Sequence, residues 1–449
     1  MLLVGGIIFY MAWKAIYIIY LTVYIIVNFY CAIKIEENLN SIKRKQIFYF
    51  AIIFNFGILF FFKYFDFFSD NLNQLFAITQ IEYRTSALNL ILPMGISFYT
   101  FQIVSYVVDV YNRKLKAERH LGTFYLFITY FPQLVAGPIE RAHNLISQLK
   151  DLRNRIDNAA VIAGLQQIIL GFFKKIVIAD RLSPYVDQVY SFPEGYSGLN
   201  IAIATFFFTI QIYCDFSGYT DIAIGSSRLL GVKLMDNFRT PYFSKSISEF
   251  WSRWHISLST WFRDYVYIPL GGNRVVKWRW YYNIFITFAI SGFWHGANWT
   301  YIFWGILHGS YLVLAIIALP ITSKIDTIFF GKLPKLKTAI NMLLTFILVY
   351  FTWIFFRAEN INDAFFIFRK ILMLKSDLGT FTVAIDNFGV FSFMVSLGLI
   401  GLLFLYEALL NLRLIRSNFR SDLFLSAMFF VLILLFGVMG SKSFIYFQF

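Results

Sequence analysis

Long apolar runs alternate with short polar connections along the whole chain. A helix needs about 20 apolar residues to cross the hydrocarbon core of a membrane, and runs near this size recur throughout the sequence. They lie near residues 2–13 with 15–33, then 46–63, 86–111, 121–137, 159–179, 197–225, 282–294, 299–319, 338–356, 388–410 and 423–439. The pattern predicts an all-α, polytopic integral membrane protein with about eleven transmembrane helices.

Several of these runs are interrupted by proline and glycine. Pro93-Met94-Gly95 breaks one run, and Ala136-Gly137-Pro138 ends another. Irregular backbone at membrane depth is tolerated only where protein or a water-filled cavity satisfies the freed polar groups. The breaks therefore predict re-entrant pieces and a compact helical body around an internal space.

The polar connections differ in charge and in aromatic content. Four of them are rich in Lys and Arg and are predicted to face the cytoplasm: 34–45, 113–119, 141–155 and 413–420. The longest connection, 226–281, mixes cationic side chains with Trp and Tyr, which is typical of an interfacial helix. No internal repeat, low-complexity tract or linker divides the sequence, so residues 1–449 are predicted to form a single membrane-embedded domain.

Composition supports the membrane interpretation. Only 14% of the residues are charged and 59% are hydrophobic, whereas a soluble domain averages roughly 25% charged residues. The net charge of +14 would suggest nucleic acid in a soluble protein. Basic residues of membrane proteins instead gather in cytoplasmic loops and near anionic headgroups. We therefore expect membrane lipid as a partner and no nucleic acid.

The cysteines and the N-terminus give simple expectations. Cys31 and Cys214 each stand alone in an apolar stretch without a CxxC motif, so they are predicted to be buried thiols rather than disulfide or zinc ligands. The N-terminus is apolar almost at once and has no small-residue cleavage site, which argues against a removable signal peptide. Because the first run ends early at Lys14, we expect the chain to begin inside what is usually a longer first helix.

Five histidines are the main candidates for chemistry. His120 and His143 lie in basic loops and are predicted to be solvated. His295 stands where one apolar run ends and another begins, between Trp294 and Gly296. An ionisable group at membrane depth is costly and is by default a candidate functional residue. The alternative is a neutral histidine that caps a helix kink, and the position alone leaves both open.

The other two histidines give weaker signals. A structural role is favoured for His308, which lies in Trp304-Gly305-Ile306-Leu307-His308. His255, in Arg253-Trp254-His255-Ile256-Ser257, fits an interfacial packing residue as well as a functional one.

Other kinds of chemistry have little support. The sequence has no HExxH or other metal spacing, no P-loop and no GxSxG elbow, so no metal site is predicted. Asp215 and Asp221 lie in an otherwise apolar span, where carboxylates must be paired, hydrated or protonated. A transporter with a relay through these aspartates and the histidines is therefore an alternative. The inverted repeats common in transporters are absent from the sequence.

Seven motifs together carry a resemblance to a known family. They are Leu92–Gln102 (LPMGISFYTFQ), Gln133–Arg141 (QLVAGPIER), Asp215–Asp221 (DFSGYTD), Glu249–Trp261 (EFWSRWHISLSTW), Pro269–Arg274 (PLGGNR), Phe293–Gly296 (FWHG) and Trp353–Ala358 (WIFFRA). From about residue 5 to 370 the chain resembles the membrane-bound O-acyltransferase family. It is most similar to the bacterial branch of alginate and exopolysaccharide O-acetylation membrane subunits.

The resemblance implies a fold, a reaction and a site. About eleven helices would surround a central funnel in the bacterial inner (cytoplasmic) membrane, and no bound cofactor is expected. An acyl group would pass from a cytoplasmic thioester, acetyl-CoA or a carrier protein, to a hydroxyl acceptor. The family's catalytic histidine in Trp-His-Gly corresponds to His295, and its second histidine corresponds to His255. The candidate substrate-binding residues are Trp294, Asn298, Trp299, Arg253, Asp215 and Tyr219.

Chemistry and partners follow from this interpretation. A histidine with a pKa near 6.5 suits proton removal from a hydroxyl that attacks a thioester, and basic loop residues would attract the phosphates of acetyl-CoA. The expected acceptors are an extracytoplasmic partner protein and a cell-surface polysaccharide. The alternative within the family is transfer of D-alanine from a carrier protein to teichoic acid. Outside the enzyme class, the alternatives are the transporter and a scaffold in which His295 only packs.

Overall fold

The computed structural model describes residues 1–135, 137–151, 156–331, 333–373, 384–385, 387–412, 414, 419–438 and 440. In these ranges the regular structure is helical and no β-strand occurs, which confirms the all-α prediction. The helices are α1 (Leu2–Lys14), α2 (Tyr17–Glu37), α3 (Ser41–Leu59), α4 (Phe65–Ile78), α5 (Ile96–Tyr111), α6 (Leu121–Thr129), α7 (Phe131–Leu134), α8 (Ala142–Lys150), α9 (Asn158–Phe172), α10 (Asp180–Tyr190), α11 (Gly198–Leu229), α12 (Ile247–Arg253), α13 (Ile256–Phe262), α14 (Lys277–His295), α15 (Trp299–Phe330), α16 (Pro334–Arg357), α17 (Ile361–Met373), α18 (Val390–Asn411) and α19 (Phe419–Phe436). Three π-helical turns, Phe60–Tyr64, Phe173–Ala179 and Arg263–Tyr267, continue α3, α9 and α13.

Seven helical segments in the described ranges are long and apolar enough to cross a membrane. They are Tyr17–Glu37, Ser41–Ile78, Asn158–Tyr190, Gly198–Leu229, Trp299–Ile328, Pro334–Arg357 and Val390–Asn411. Two further apolar helices, Leu2–Lys14 and Ser421–Phe436, are shorter. The polytopic membrane character is thereby confirmed, while the funnel and the cytoplasmic orientation of the basic loops stay predictions.

Two of the predicted spans differ from the helices observed. Residues 81–93 form no helix, and α5 begins only after Gly95, whose φ of 74° is the left-handed conformation that glycine adopts readily. The run 121–137 is divided between α6 and α7 because Tyr130 adopts an extended ψ of 99°. The break expected at Pro93-Met94-Gly95 is thus present, and Ala136 lies outside the described residues.

The chain forms two compact units, which we call unit 1 (Met1–Gly164 and Ala223–Met235) and unit 2 (Leu165–Ile222 and Asp236–Phe449). In unit 1, α2, α3 and α5 pack against one another, and α6 packs on α1, α2 and α8. Gln148 in α8 exchanges two hydrogen bonds of 2.9 Å with the backbone of Lys233. These bonds hold the segment Ala223–Met235 against α8. That residues 1–449 form a single domain stays a prediction.

Unit 2 contains a close crossing between α14 and α15, made possible by glycine. A Cβ atom added to Gly292 would overlap the carbonyl oxygen of Tyr301 and lie 3.1 Å from the Cα of Gly305. A Cβ on Gly305 would in turn overlap the carbonyl oxygen of Phe288. Small residues at such crossings let helix backbones approach closely in membrane proteins. The crossing fixes which residues of the two helices face each other.

Unit 2 also buries charged side chains between α9, its π-helical extension and α11. Lys175 Nζ lies 2.7 Å from a carboxylate oxygen of Asp180 and 2.5 Å from one of Asp215. Lys174 Nζ lies 2.8 Å from Asp221. Each of the two lysines is 6% exposed. The apolar span therefore keeps its aspartates by pairing them, which is the first of the three possibilities that the sequence left open.

Replacing Gly292 with alanine is expected to destabilise unit 2. The new methyl group would push α15 away from α14, and overpacking of this kind typically costs about 1–3 kcal/mol. The midpoint of thermal unfolding, followed in detergent micelles, should fall clearly below that of the wild type. Gly398→Ala is the matched control because an added Cβ there meets no atom within 4 Å. Equal midpoints for the two variants would contradict a tight crossing.

Lys175→Met should destabilise the protein by about 3–5 kcal/mol, since it leaves two buried carboxylates without their cation. The free energy of unfolding in mixed micelles with increasing denaturant measures this loss. The triple variant Lys175→Met, Asp180→Asn, Asp215→Asn removes the uncompensated charges and should recover most of the stability. Loss of equal size in both variants would show that Lys175 acts through packing alone.

Candidate active site

His295 ends helix α14, and Gly296 continues the chain in an extended conformation. The side chain is only 3% exposed and is enclosed by aromatic rings. The ring centroids of Trp294, Trp304 and Phe356 lie 5.0, 5.1 and 5.4 Å from that of His295. The imidazole is therefore held in one place by neighbours from three helices, α14, α15 and α16.

His255 lies between α12 and α13 and is fully buried. Its φ of 43° and ψ of 53° place it in the left-handed region, which costs a residue other than glycine of order 1–3 kcal/mol and is frequent at functional sites. Asn237 stabilises this turn, because its carbonyl oxygen accepts from the N–H of Ile256 and its side-chain oxygen accepts from the N–H of Ser257. Burial lowers the pKa of His255 to about 3, so the imidazole is neutral near pH 7.

The two histidines predicted to carry the chemistry lie close together in unit 2. The ring centroids of His255 and His295 are 6.5 Å apart, and the ring of Trp294 contacts both, at 6.3 and 5.0 Å. This separation exceeds that of directly hydrogen-bonded rings. The two imidazoles are therefore close neighbours that are not bonded to each other.

His308 has both ring nitrogens engaged. The indole Nε1 of Trp251 donates to Nδ1 at 3.2 Å, so the proton of the neutral ring is on Nε2. Nε2 then donates to the hydroxyl of Thr352 at 3.1 Å, and that hydroxyl donates to the carbonyl of Val349. This arrangement agrees with the structural role favoured for His308 and leaves neither nitrogen for a substrate.

Of the three residues expected beside His295, Trp294 contacts both histidine rings. Asn298 is the N-cap of α15: its side-chain oxygen accepts from the N–H of Thr300, and its amide donates to the carbonyl of Glu359 at 2.8 Å. The side chain of Trp299 is 55% exposed. Asn298 thus starts α15, and the substrate-binding roles predicted for Asn298 and Trp299 stay predictions.

The remaining candidate binding residues are held in polar networks. Arg253 donates to Glu249 at 2.6 Å, to Thr240 at 3.2 Å and to Asn411 at 3.1 Å. Asp215 binds Lys175, and the ring of Tyr219 lies 5.2 Å from the same ammonium group. Their substrate-binding roles stay predictions. The three tryptophans expected at the membrane interface in this region, Trp251, Trp254 and Trp261, are all buried.

Sequence reasoning missed several residues of this part of unit 2. Trp304 and Trp353 are at most 1% exposed; the ring of Trp304 contacts that of His295, and Trp353 stacks on Trp304. The spacing of Trp304 and His308, one helical turn apart, indicated one shared face. Lys174 and Lys175 were counted within the apolar run 159–179, although the cost of intramembrane charge applies to lysine as much as to aspartate.

A cavity of about 490 Å³ lies in unit 2, and its lining includes Ile256, the residue after His255; its volume is within the size range of small-molecule sites. Its wall includes Ser291, which is one turn before His295 on α14. The lining is mostly apolar and aromatic with a row of hydroxyls: Ser248, Trp251, Ser252, Ile256, Leu258, Ser259, Thr260, Phe262, Arg263, Tyr267, Ile284, Thr287, Phe288, Ser291 and Leu312. The hydroxyls of Ser252, Ser259, Thr260 and Thr287 donate to carbonyls of nearby backbone.

The site offers acid–base chemistry. Among the described residues, no three His, Cys, Asp or Glu side chains are grouped so as to hold a metal ion. A buried histidine positioned beside a cavity can take a proton from a hydroxyl and return it to a leaving group. The geometry therefore fits group transfer to an alcohol by a histidine base.

Comparison with known proteins shows which family and which relatives the chain is similar to. Residues 113–358 match the model of MBOAT, the membrane-bound O-acyltransferase family. The chain is 36% identical to a probable alginate O-acetylase of Azotobacter vinelandii, over 81% of this chain and 70% of the relative. It is 35% identical to a peptidoglycan O-acetyltransferase of Helicobacter pylori, over 83% of this chain and 73% of the relative.

Over a smaller part of its length, the chain is also similar to a protein named for a different transfer reaction. It is 32% identical to a teichoic acid D-alanyltransferase of Bacillus subtilis, over 49% of this chain and 58% of the relative. The two O-acetylating relatives are thus matched over a larger share of their length than this D-alanyltransferase. On the family match and these identities, the chain belongs to the membrane-bound O-acyltransferase family and is an acyltransferase.

Proposed function

We propose that this protein transfers an acetyl group from acetyl-CoA to a hydroxyl acceptor for O-acetylation of a cell-surface polysaccharide. The observation that carries the proposal is the enclosed pair of His295 and His255, 6.5 Å apart between ring centroids, in a chain whose best-covered relatives are named as O-acetylating proteins. The donor would reach the site from the cytoplasm. The protein would work in the inner membrane of a bacterium.

His295 is the general base of the proposed reaction. It removes the proton of the acceptor hydroxyl as the oxygen attacks the thioester carbonyl; the C–O bond forms, the C–S bond breaks and CoA leaves as the thiolate. The proton taken by His295 then returns to that thiolate or to solvent. Positioned general bases typically contribute about 10²–10⁴ in rate.

In this proposal His255 contacts the substrate beside His295. With a pKa lowered to about 3 by burial, it stays neutral and acts as a hydrogen-bond partner rather than as a charge. It orients the thioester against His295. Trp294, which touches both rings, closes the wall between them.

The acceptor is either the polysaccharide itself or an extracytoplasmic partner protein that passes the acetyl group on. The names of two relatives mention alginate and peptidoglycan, which supports a polysaccharide as the final acceptor in either case. D-alanyl transfer from a carrier protein is the second candidate, supported by the similarity over 49% of the chain.

His295→Ala should abolish turnover, with a loss of about 10²–10⁴-fold. The assay is release of free CoA from acetyl-CoA by purified protein in lipid nanodiscs, with polysaccharide fragments and candidate partner proteins added in turn. His143→Ala, in an exposed position, is the control and should keep wild-type turnover. Undiminished CoA release by the His295 variant would show that another group acts as base. If turnover occurs only with a carrier protein loaded with D-alanine, the reaction is D-alanyl transfer and acetyl-CoA is not the donor.

His255→Asn is expected to lower kcat about tenfold, which corresponds to one hydrogen bond of about 1.4 kcal/mol. Asparagine tolerates the left-handed backbone, so its thermal midpoint should stay near that of the wild type. His255→Ala should show the same kcat together with a lower midpoint. A normal kcat in the asparagine variant would reduce His255 to a packing residue.

A further inference from the structure

Three buried hydrogen-bond donors on α15 and α16 have no acceptor among the described residues. They are the indole Nε1 of Trp304, the indole Nε1 of Trp353 and the hydroxyl of Thr300. All three side chains are at most 1% exposed. Leaving a buried donor unsatisfied costs about 1–3 kcal/mol, and native proteins rarely do so without a functional reason.

Other tryptophans of unit 2 show that such donors can be satisfied here. Trp251 donates its Nε1 proton to His308 at 3.2 Å, and Trp280 donates to the hydroxyl of Tyr267 at 2.9 Å. Acceptors are thus available in this aromatic environment. The indoles of Trp304 and Trp353 lack such an acceptor among the described residues, and the ring of Trp304 contacts that of His295.

Trp304 is the donor in direct contact with His295. The two rings meet edge to face, with centroids 5.1 Å apart and planes at 88°. The indole is fixed on its other sides by Trp353, stacked at 5.8 Å, and by His308 at 4.9 Å. Its backbone is fixed by the helix crossing at the neighbouring Gly305. Trp304 is therefore a rigid donor at a fixed place relative to the base.

Acyl transfer creates a need for such a donor. When the acceptor oxygen attacks the thioester carbon, the electrons of the C=O double bond move to the carbonyl oxygen, which becomes negatively charged. Preorganised donors in a water-excluded site stabilise this charge most effectively, and loss of one donor typically costs about 10²–10³ in kcat. A neutral indole N–H fits this task because it donates but never accepts.

We propose that the Trp304 indole N–H donates a hydrogen bond to the carbonyl oxygen of the acyl group during transfer. The inference rests on the proposed function of His295 and adds the group that stabilises the oxyanion. Thr300 precedes Trp304 by one turn of α15, on the same helix face, and is the second donor of this site. Trp353 stacks on Trp304 and holds its ring.

Trp304→Phe keeps an aromatic ring and removes only the donor and part of the volume. We expect kcat for CoA release from acetyl-CoA to fall about 10²–10³-fold, with KM changed less than threefold. Trp304→His, which restores a ring N–H, should regain part of the lost kcat. Thr300→Val, which replaces the hydroxyl by a methyl group, should lower kcat without an effect on the thermal midpoint. Trp278→Phe, at a position that is 67% exposed, is the matched control.

The outcomes separate this inference from the proposed function. If His295→Ala is inactive while Trp304→Phe and Thr300→Val turn over at the wild-type rate, the oxyanion role is wrong and the acyltransferase assignment stands. If Trp304→Phe raises KM and lowers the thermal midpoint with kcat unchanged, the indole merely packs. If the wild type releases no CoA from acetyl-CoA under any acceptor condition, the proposed function fails and the role of Trp304 fails with it.

Discussion

The close crossing of α14 and α15 is the constraint on which the candidate site depends. Gly292 and Gly305 let the two backbones touch, and His295 follows Gly292 by three residues while Trp304 precedes Gly305 directly. A larger residue at either glycine would move His295 away from Trp304 even though both of these side chains were unchanged. The contact between the two backbones at these glycines thus sets the distance between the side chains of His295 and Trp304.

Helix α11 joins two very different environments within unit 2. Asp215 lies in the buried ion pairs with Lys175, and the next residue, Phe216, packs its ring edge-on against His255 at 4.6 Å between centroids. Buried ion pairs stabilise a fold weakly but break at high cost. The ion pair of Asp215 therefore fixes the position of α11, and Phe216 on the same helix holds the ring of His255 in place.

Much of this arrangement could be predicted from the sequence, and there are physical reasons why the rest could not. Apolar periodicity predicted the helices, and the Trp-His-Gly and Arg-Trp-His-Ile-Ser motifs pointed to His295 and His255, which the structure brings together. Periodicity cannot show how far two helices approach, so Trp304 went unnoticed although its motif was recognised. Sequence proximity to His295 likewise could not reveal that the side chain of Asn298 caps α15.

The hydroxyls of the cavity have a consequence for selectivity. Four of them, on Ser252, Ser259, Thr260 and Thr287, already donate their protons to backbone carbonyls, so they face the cavity with lone pairs only. An amide or alcohol that brings N–H or O–H groups finds partners on this wall. Inhibitors aimed at this cavity should accordingly carry hydrogen-bond donors that face these four hydroxyls.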